Sequence, residues 1–194
     1  MATEIPAAVQ ALLSRRSVPA LQLREPPPSQ AQIDLAIDAA LSGPDHGALR
    51  PLRFVLVRGQ ARSRLSELFS RRMLERDPAT PPGKLDKARR MPLAAPLVIA
   101  VAARVLSAHK VPEIEQMFAA AAGVMNLLNA FHAQGYGAIW LTGGNAYDPK
   151  IAEALQFAAD ERCLGFVYVG SIEGDARIVP RRLERDGVVR DWGG

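Results

Sequence analysis

Apolar residues crowd most densely across Val111–Gly144, VPEIEQMFAAAAGVMNLLNAFHAQGYGAIWLTGG. From Met117 to Tyr147 no Asp, Glu, Lys or Arg occurs. Glu113 and Glu115 stand where negative charge suits the positive end of a helix dipole, and Pro112 fits a first helical turn. Ala119–Ala122, Val124, Met125, Leu127, Leu128, Ala130 and Phe131 then occupy nearly every face, which predicts a helix enclosed by a core. Gly135 and Gly137 end it, and an aromatic-plus-hydroxyl turn, Ile139–Gly144, follows at once. A membrane span needs about 20 apolar residues. Asn126, Asn129, His132 and Gln134 interrupt this run, so it reads as a core or interface helix, with no membrane partner.

The shorter patterns fill in the rest. Glu4–Arg16 reads as an amphipathic helix with Ile5, Val9, Leu12 and Leu13 on one side, and Pro19 prevents its continuation. Ser29 is an N-cap opening a helix to about Ser42, and Gly43-Pro44-Asp45-His46-Gly47 breaks the chain. Arg53–Val57 is a short buried strand, Gln60–Arg76 a charged amphipathic helix, Asp77–Gly83 a loop and Lys84–Arg90 a short helix. Leu97–Ala103 is apolar throughout and therefore a central strand. Asp148 caps a short helix to about Phe157, and Leu164–Val169 is a third strand ending at Gly170. Strands and helices in this order predict an α+β fold rather than alternating βαβ units. No repeat or linker divides the chain, so residues 1–194 are expected to form one domain. The tail, residues 171–194, has little to bury by itself and is expected to dock on a partner subunit.

Composition narrows the class. With 194 residues, 48% hydrophobic and 23% charged, the chain can bury a sizeable core and is not a disordered segment. Cys163 is the only cysteine, which excludes an internal disulfide and suits a reducing compartment. Glu4 comes early and Arg15-Arg16 late, the reverse of a secretory signal, so a mature, soluble, cytoplasmic chain is expected. A net charge of +4 raises the question of nucleic acid, but Arg15-Arg16, Arg71-Arg72, Arg89-Arg90 and Arg181-Arg182 lie far apart, several with acids close by. No nucleic-acid motif accompanies them, and no nucleic-acid partner is expected.

Chemistry is defined first by what is missing. His46, His109 and His132 are the only histidines, and none stands at metal-ligand spacing. No G-x-S-x-G elbow, Walker A loop, H-E-x-x-H or strand-linked G-x-G-x-x-G occurs, so hydrolase, kinase and Rossmann readings lose their usual support. What remains is Ser14-Arg15-Arg16-Ser17, where two guanidinium forks and a hydroxyl suit a phosphate, although such a triplet alone is more often surface charge.

In order along the chain come RRS, GPDHGALRPLRFVLV, APLVIAVAA, HKVPEIEQ, the long helix, GYGAIWLTG and GFVYVGS. This series resembles the nitroreductase family of flavin oxidoreductases, in its small single-domain branch, over roughly Val9 to Ser171. The resemblance implies an α+β fold with a mostly antiparallel central sheet flanked by helices. It also implies a homodimer with FMN in clefts at the subunit interface and a C-terminal tail exchanged across the dimer. It implies further that Arg15, Arg16 and Ser17 hold the FMN phosphate and ribityl chain. Pro44–Leu52 reaches FMN from the other subunit, with His46 the favoured contact and Ser42 and Pro44 beside it. Trp140, Leu141, Thr142 and Gly143 line the flavin ring, and Arg182 of the Arg181-Arg182 pair reaches the phosphate. No catalytic side chain and no metal are implied. NADH or NADPH is the expected reductant, and a small electron-poor molecule such as a nitroaromatic or quinone the acceptor.

The match has departures. Leu52 stands where the family usually has Trp, Arg50 where it often has Gln, and Pro19 where relatives often carry a basic residue near the ring; Arg50 or Arg53 then becomes the candidate for the missing positive charge. Plainer readings stand beside these. His46 can cap local backbone, Trp140 can be core packing, Thr142 can form a local turn, His132 suits a satisfied core position, and Asn126 and Asn129 can bond across a dimer. Cys163 reads as buried and inert. Two rival functions also stand: a flavin carrier or sensor of the same fold, and a cofactor-free basic dimer that binds an acidic partner or nucleic acid through scattered arginines.

Overall fold

The computed structural model describes residues 4–172 and 186–193. Along them run α1 (Ala7–Ser14), β1 (Leu23–Arg24), α2 (Gln30–Leu41), β2 (Leu52–Arg58), α3 (Ala61–Arg76), α4 (Pro82–Arg90), β3 (Leu97–Arg104), α5 (Glu113–Ala133), β4 (Gly137–Leu141), α6 (Pro149–Ala154) and β5 (Glu161–Ile172). The strands form one sheet in the order β1-β5-β3-β2, with β4 also paired to β5, and every ladder is antiparallel.

Strand β3 shows why the layers form. Successive side chains of a strand point to opposite faces, and β3 is apolar on both. Val98, Ala100 and Ala102 enter one core with Leu65 and Phe69 of α3 and Ile151 of α6. Leu97, Ile99, Val101 and Ala103 enter the other, with Ile33 and Ala36 of α2 and Val124, Leu127 and Phe131 of α5. The sheet is therefore sandwiched, and the fold is α+β as the pattern predicts. Phe166 of β5 completes the first core, edge-on to Phe69 at a ring-centroid distance of 5.0 Å.

Local signals place most boundaries. Ser29 caps α2 in a full capping box with Gln32, and Asp148 caps α6 through the N–H of Lys150. Four expectations need correction. Helix α1 is shorter than Glu4–Arg16, running only from Ala7, after Pro6, to Ser14. Ile139–Leu141 is not a turn but part of β4, because Gly135, at φ +84°, ends the helical path and β5 offers an unpaired edge. Strand β5 extends well beyond Leu164–Val169, since its far end pairs with β1. Finally, α5 is not enclosed all round.

That last correction has consequences. Gln116, Ala120, Gly123, Val124, Leu127, Leu128 and Phe131 face inward, but Ile114 and Phe118 are 57% and 63% exposed and Met125 is exposed too. Helix α1 buries none of its residues, and Ile5, Val9, Leu12 and Leu13 lie open. Exposed apolar side chains of this number are unusual for a monomer's surface when they are contiguous. Residues 186–193 carry no helix or strand, and Trp192 is fully exposed. Arg181 and Arg182 lie outside the described residues, as does most of the tail expected to dock on a partner. Among the described residues no helix is long and apolar enough to cross a membrane.

Candidate active site

The Arg-Arg-Ser triplet is held against the start of β4. Ser17 forms an isolated parallel bridge with Ala138, and the Val18 N–H donates to the Ala138 carbonyl at 3.0 Å. Arg15 is half-buried, and its Nε is fully buried without a hydrogen-bond partner among the described residues. Arg16 donates from Nη1 to the Leu13 and Arg15 carbonyls, both at 3.4 Å, and Ser17 is exposed. Below the triplet, Ser14 Oγ and His132 Nε2 of α5 lie 2.8 Å apart. Burial lowers the His132 pKa, and the charges of Arg15 and Arg16 push it the same way, so the imidazole is held neutral in an electropositive corner. One turn earlier on α5, Asn129 Oδ1 is buried without a partner. The buried Arg15 Nε is a donor whose lack of an acceptor has a cost in a folded protein, and an anionic oxygen is its natural remedy, whereas Asn129 Oδ1 is an acceptor and calls for a donor.

The other end of β4 opens on a cavity. Ser17 sits opposite Ala138, and Thr142 lies four residues on, about 13 Å along the strand. Leu141, Thr142 and Gly143 line a hollow of about 560 Å3 whose walls include Phe69, Met73, Phe166 and Tyr168, with Arg76, Lys84 and Lys87 at its edges. Thr142 and Gly143 are exposed. Trp140 is half-buried and donates from Nε1 to the Leu164 carbonyl at 3.0 Å, so it also packs the core, as its plainer reading has it. The close approach of the end of β4 to β5 requires glycine at 165. Its φ is +123°, and a Cβ there would lie 2.5 Å from the Leu141 carbonyl oxygen and 2.9 Å from Trp140 Nε1.

His46 is elsewhere. Its Nδ1 lies 2.6 Å from Glu115 Oε2, at the start of α5, whereas Ser14 and Arg15 meet His132 at the end of that helix. The 17 residue steps from Glu115 to His132 put the two points about 25 Å apart along the axis. One chain therefore does not bring His46 and Arg15 to a common small ligand. Ser42 and Pro44 share the His46 region: Ser42 Oγ donates to the Ala39 carbonyl at 2.8 Å, and Pro44 lines a separate hollow with Arg50 and Leu52. Arg53 is committed, with Nε 2.9 Å from Glu161 and Nη1 donating to the Arg50 carbonyl, which leaves exposed Arg50 as the candidate extra charge. Arg182 lies outside the described residues.

Two organising carboxylates escape the sequence pattern. Asp45 accepts from the N–H groups of Leu49 and Arg50 at 3.1 and 2.6 Å and so shapes the whole turn, in which Gly47, Ala48 and Arg50 have positive φ. Asp148, legible only as a cap, also receives Arg72 and Arg76 from α3. Arg72 thus belongs to a buried ion pair and not to the solvated surface that the Arg71-Arg72 pair suggests. Among the described residues no group of three or more His, Cys, Asp or Glu gathers to hold a metal ion. Cys163 is half-buried, and burial raises its thiol pKa, which leaves it a poor nucleophile.

An antiparallel sheet between two helical layers thus carries an arginine corner at one end of β4 and a cavity at the other. The model of the "Nitroreductase family" matches residues 12–171, and this chain belongs to that family. It is 34% identical over 164 residues to "Putative NAD(P)H nitroreductase YdjA" of Escherichia coli K12, covering 84% of this chain and 87% of that protein. It is 30% identical over 151 residues to a Haemophilus influenzae protein of the same description, covering 77% and 81%. Among solved structures, the "Nitroreductase-like Family Protein" from Bacillus cereus superposes with a TM-score of 0.79 at 20% identity over the full length of both chains. A variant of the FMN and NADPH-dependent nitroreductase NfnB from Sphigopyxis sp. strain HMH does so at 0.74 and 16% identity, over 97% of this chain and 99% of that one. At these identities the structural likeness is one of fold.

Proposed function

We propose that the chain binds FMN between two copies of itself and passes reducing equivalents from NADH or NADPH to an electron-poor small molecule such as a nitroaromatic or quinone. The observation that carries this reading is the Arg15 corner: a buried guanidinium Nε lacking an acceptor, on a segment bridged to β4, in a chain of the nitroreductase family. The names of its relatives, an NAD(P)H nitroreductase and an FMN and NADPH-dependent nitroreductase, support the cofactor and reductant. When bound, FMN would supply two-electron hydride chemistry between the nicotinamide and the acceptor, the accompanying proton coming from solvent.

The chain's own residues then have binding tasks. Arg15, Arg16 and Ser17 hold the phosphate and ribityl chain, because a guanidinium offers paired donors to an anion. Trp140, Leu141, Thr142 and Gly143 carry the ring at the far end of β4. Ser42, Pro44 and His46 come from the second copy, as the length of α5 requires if they serve the same site. Arg182 adds charge at the phosphate. The apolar faces of α1 and α5 supply the dimer contact.

The test is direct. The purified chain is titrated with FMN and then given NADH or NADPH anaerobically; quenched flavin fluorescence on binding and bleaching near 450 nm, the usual flavin band, are expected. No binding overturns the reading, and binding without bleaching assigns a flavin carrier instead.

A further inference from the structure

The loop after β4 is not free-standing. Asp148, with a side chain only 1% exposed, accepts from Arg72 Nε at 3.0 Å, Arg72 Nη2 at 3.2 Å and Arg76 Nη1 at 2.7 Å. Arg72 also pairs with Glu75. Arg76 is thereby fixed at its charged end, and the same guanidinium reaches across to the loop. Its Nη1 donates to the Gly144 carbonyl at 3.2 Å, and its Nη2 donates to Asn145 Oδ1 at 2.8 Å. Inside the loop the Ala146 N–H donates to the Gly143 carbonyl at 3.0 Å, so whatever holds Gly144 and Asn145 also holds Gly143. Gly143 has φ +82° and a Cβ there would meet nothing within 4 Å, while one at Gly144 would meet only the Arg76 guanidinium, so neither glycine is packed into place. A loop of two glycines has little stiffness of its own. Its position comes from α3.

We propose that Arg76 is a positioning residue, anchored on Asp148, that fixes the Thr142–Asn145 loop and so sets how the backbone of Thr142 and Gly143 meets the flavin ring. This rests on the reading that the loop lines the ring. A planar guanidinium suits the role, because its forked donors serve the carboxylate and the loop at once, whereas an ammonium offers no such fixed fork. Lys87 and Lys84 border the same cavity, but neither is tied to the loop by an ion pair among the described residues.

Three variants test this: R76K, R76A and N145A, the last removing the Asn145 contact of the clamp while leaving Asp148 and the Gly144 carbonyl in place. In flavin-free protein, amide hydrogen exchange at residues 142–146 is expected to quicken roughly tenfold in R76A and N145A, while exchange in β3 stays as in the wild type. In FMN-loaded protein, the flavin midpoint potential shifts, and bleaching by saturating NAD(P)H slows by about ten- to a hundredfold. FMN affinity, set mainly at the Arg15 end, changes by less than about threefold. R76K is expected to resemble R76A, because charge without the fork does not hold the loop. Should R76A fail to fold, N145A and R76K decide. Unchanged loop exchange and an unchanged potential in N145A and R76K overturn the proposal. A general loss of thermal stability, with normal potential and bleaching per bound flavin, also overturns it by assigning a purely structural role. If the wild type binds no FMN, the proposed function and this inference fall together; if it binds and bleaches while the variants match it, only the inference falls.

Discussion

Arg15 and His132 define the chemistry of the proposed phosphate corner. Charge-assisted hydrogen bonds contribute about 1.5–3 kcal/mol each, so Arg15→Ala is expected to weaken FMN binding by about ten- to a hundredfold, read by fluorescence titration. His132 offers a second probe. Burial first, and the two arginines second, lower its pKa. A bound phosphate offsets the arginine charges, so the His132 pKa should rise when FMN is added, measured by NMR titration of the ring. No movement on binding would place the phosphate elsewhere. Sequence made the arginine triplet visible, but not the neutral imidazole beneath it, because Ser14 and His132 are 118 positions apart and meet only after α1 docks on α5.

At the scale of elements, the packing of α2 on α5 depends on one missing side chain. A Cβ at Gly123 would lie 2.3 Å from Leu52 Cδ1 and 2.7 Å from the Ala40 carbonyl oxygen, and the backbone oxygen has no easy escape. Gly123→Ala is expected to destabilise the fold by about 1–3 kcal/mol despite the better helix propensity of alanine, read by urea unfolding. The outward face of α5 predicts a different result. Phe118→Asp leaves the buried residues of α5 untouched and should weaken dimerisation with little loss of helix content, measured by sedimentation and circular dichroism. Element type was legible where periodicity was strong: β2, β3, α2 and α3 follow from apolar spacing and caps. Strand β4 was not, since Gly137–Leu141 pairs with residues 166–170, and a strand made by a distant partner leaves a weak local signal. Helix α5 was legible only as a core or interface helix for a related reason. An apolar surface left open on a helix looks, in sequence, like one that serves the core.

Across the whole molecule, the Asp148 cluster ties α3, the loop after β4 and α6 together. Burial alone would raise the Asp148 pKa; the Arg72 hydrogen bond, the Lys150 N–H and the charges of Arg72 and Arg76 outweigh it and hold the carboxyl below its usual range. The folded value lies below the unfolded one of about 3.9. Its stabilisation is therefore complete above that pH and is lost as pH falls further, through the depressed folded value. Asp148→Asn should lower stability at neutral pH by about 3 kcal/mol, by leaving two arginines short of their acceptor. It should also lose less than the wild type on further acidification below about pH 4, as measured by denaturation across pH. The antiparallel α+β architecture and family membership were readable from motif order, whereas this three-element tie was not, because Arg72, Arg76 and Asp148 each look ordinary in their local context.

The span of α5 between Glu115 and His132 also carries a genetic signature. If each flavin is gripped by Arg15 of one copy and approached by His46 of the other, lesions at those residues fall in different halves of every site. Co-expressing an Arg15→Ala chain with a His46→Ala chain then yields mixed pairs in which both faults collect in one cleft and the second cleft is wild type. Such pairs, isolated with two different affinity tags, should hold about one tight-binding flavin per two chains, a recovery that neither defective homodimer can show.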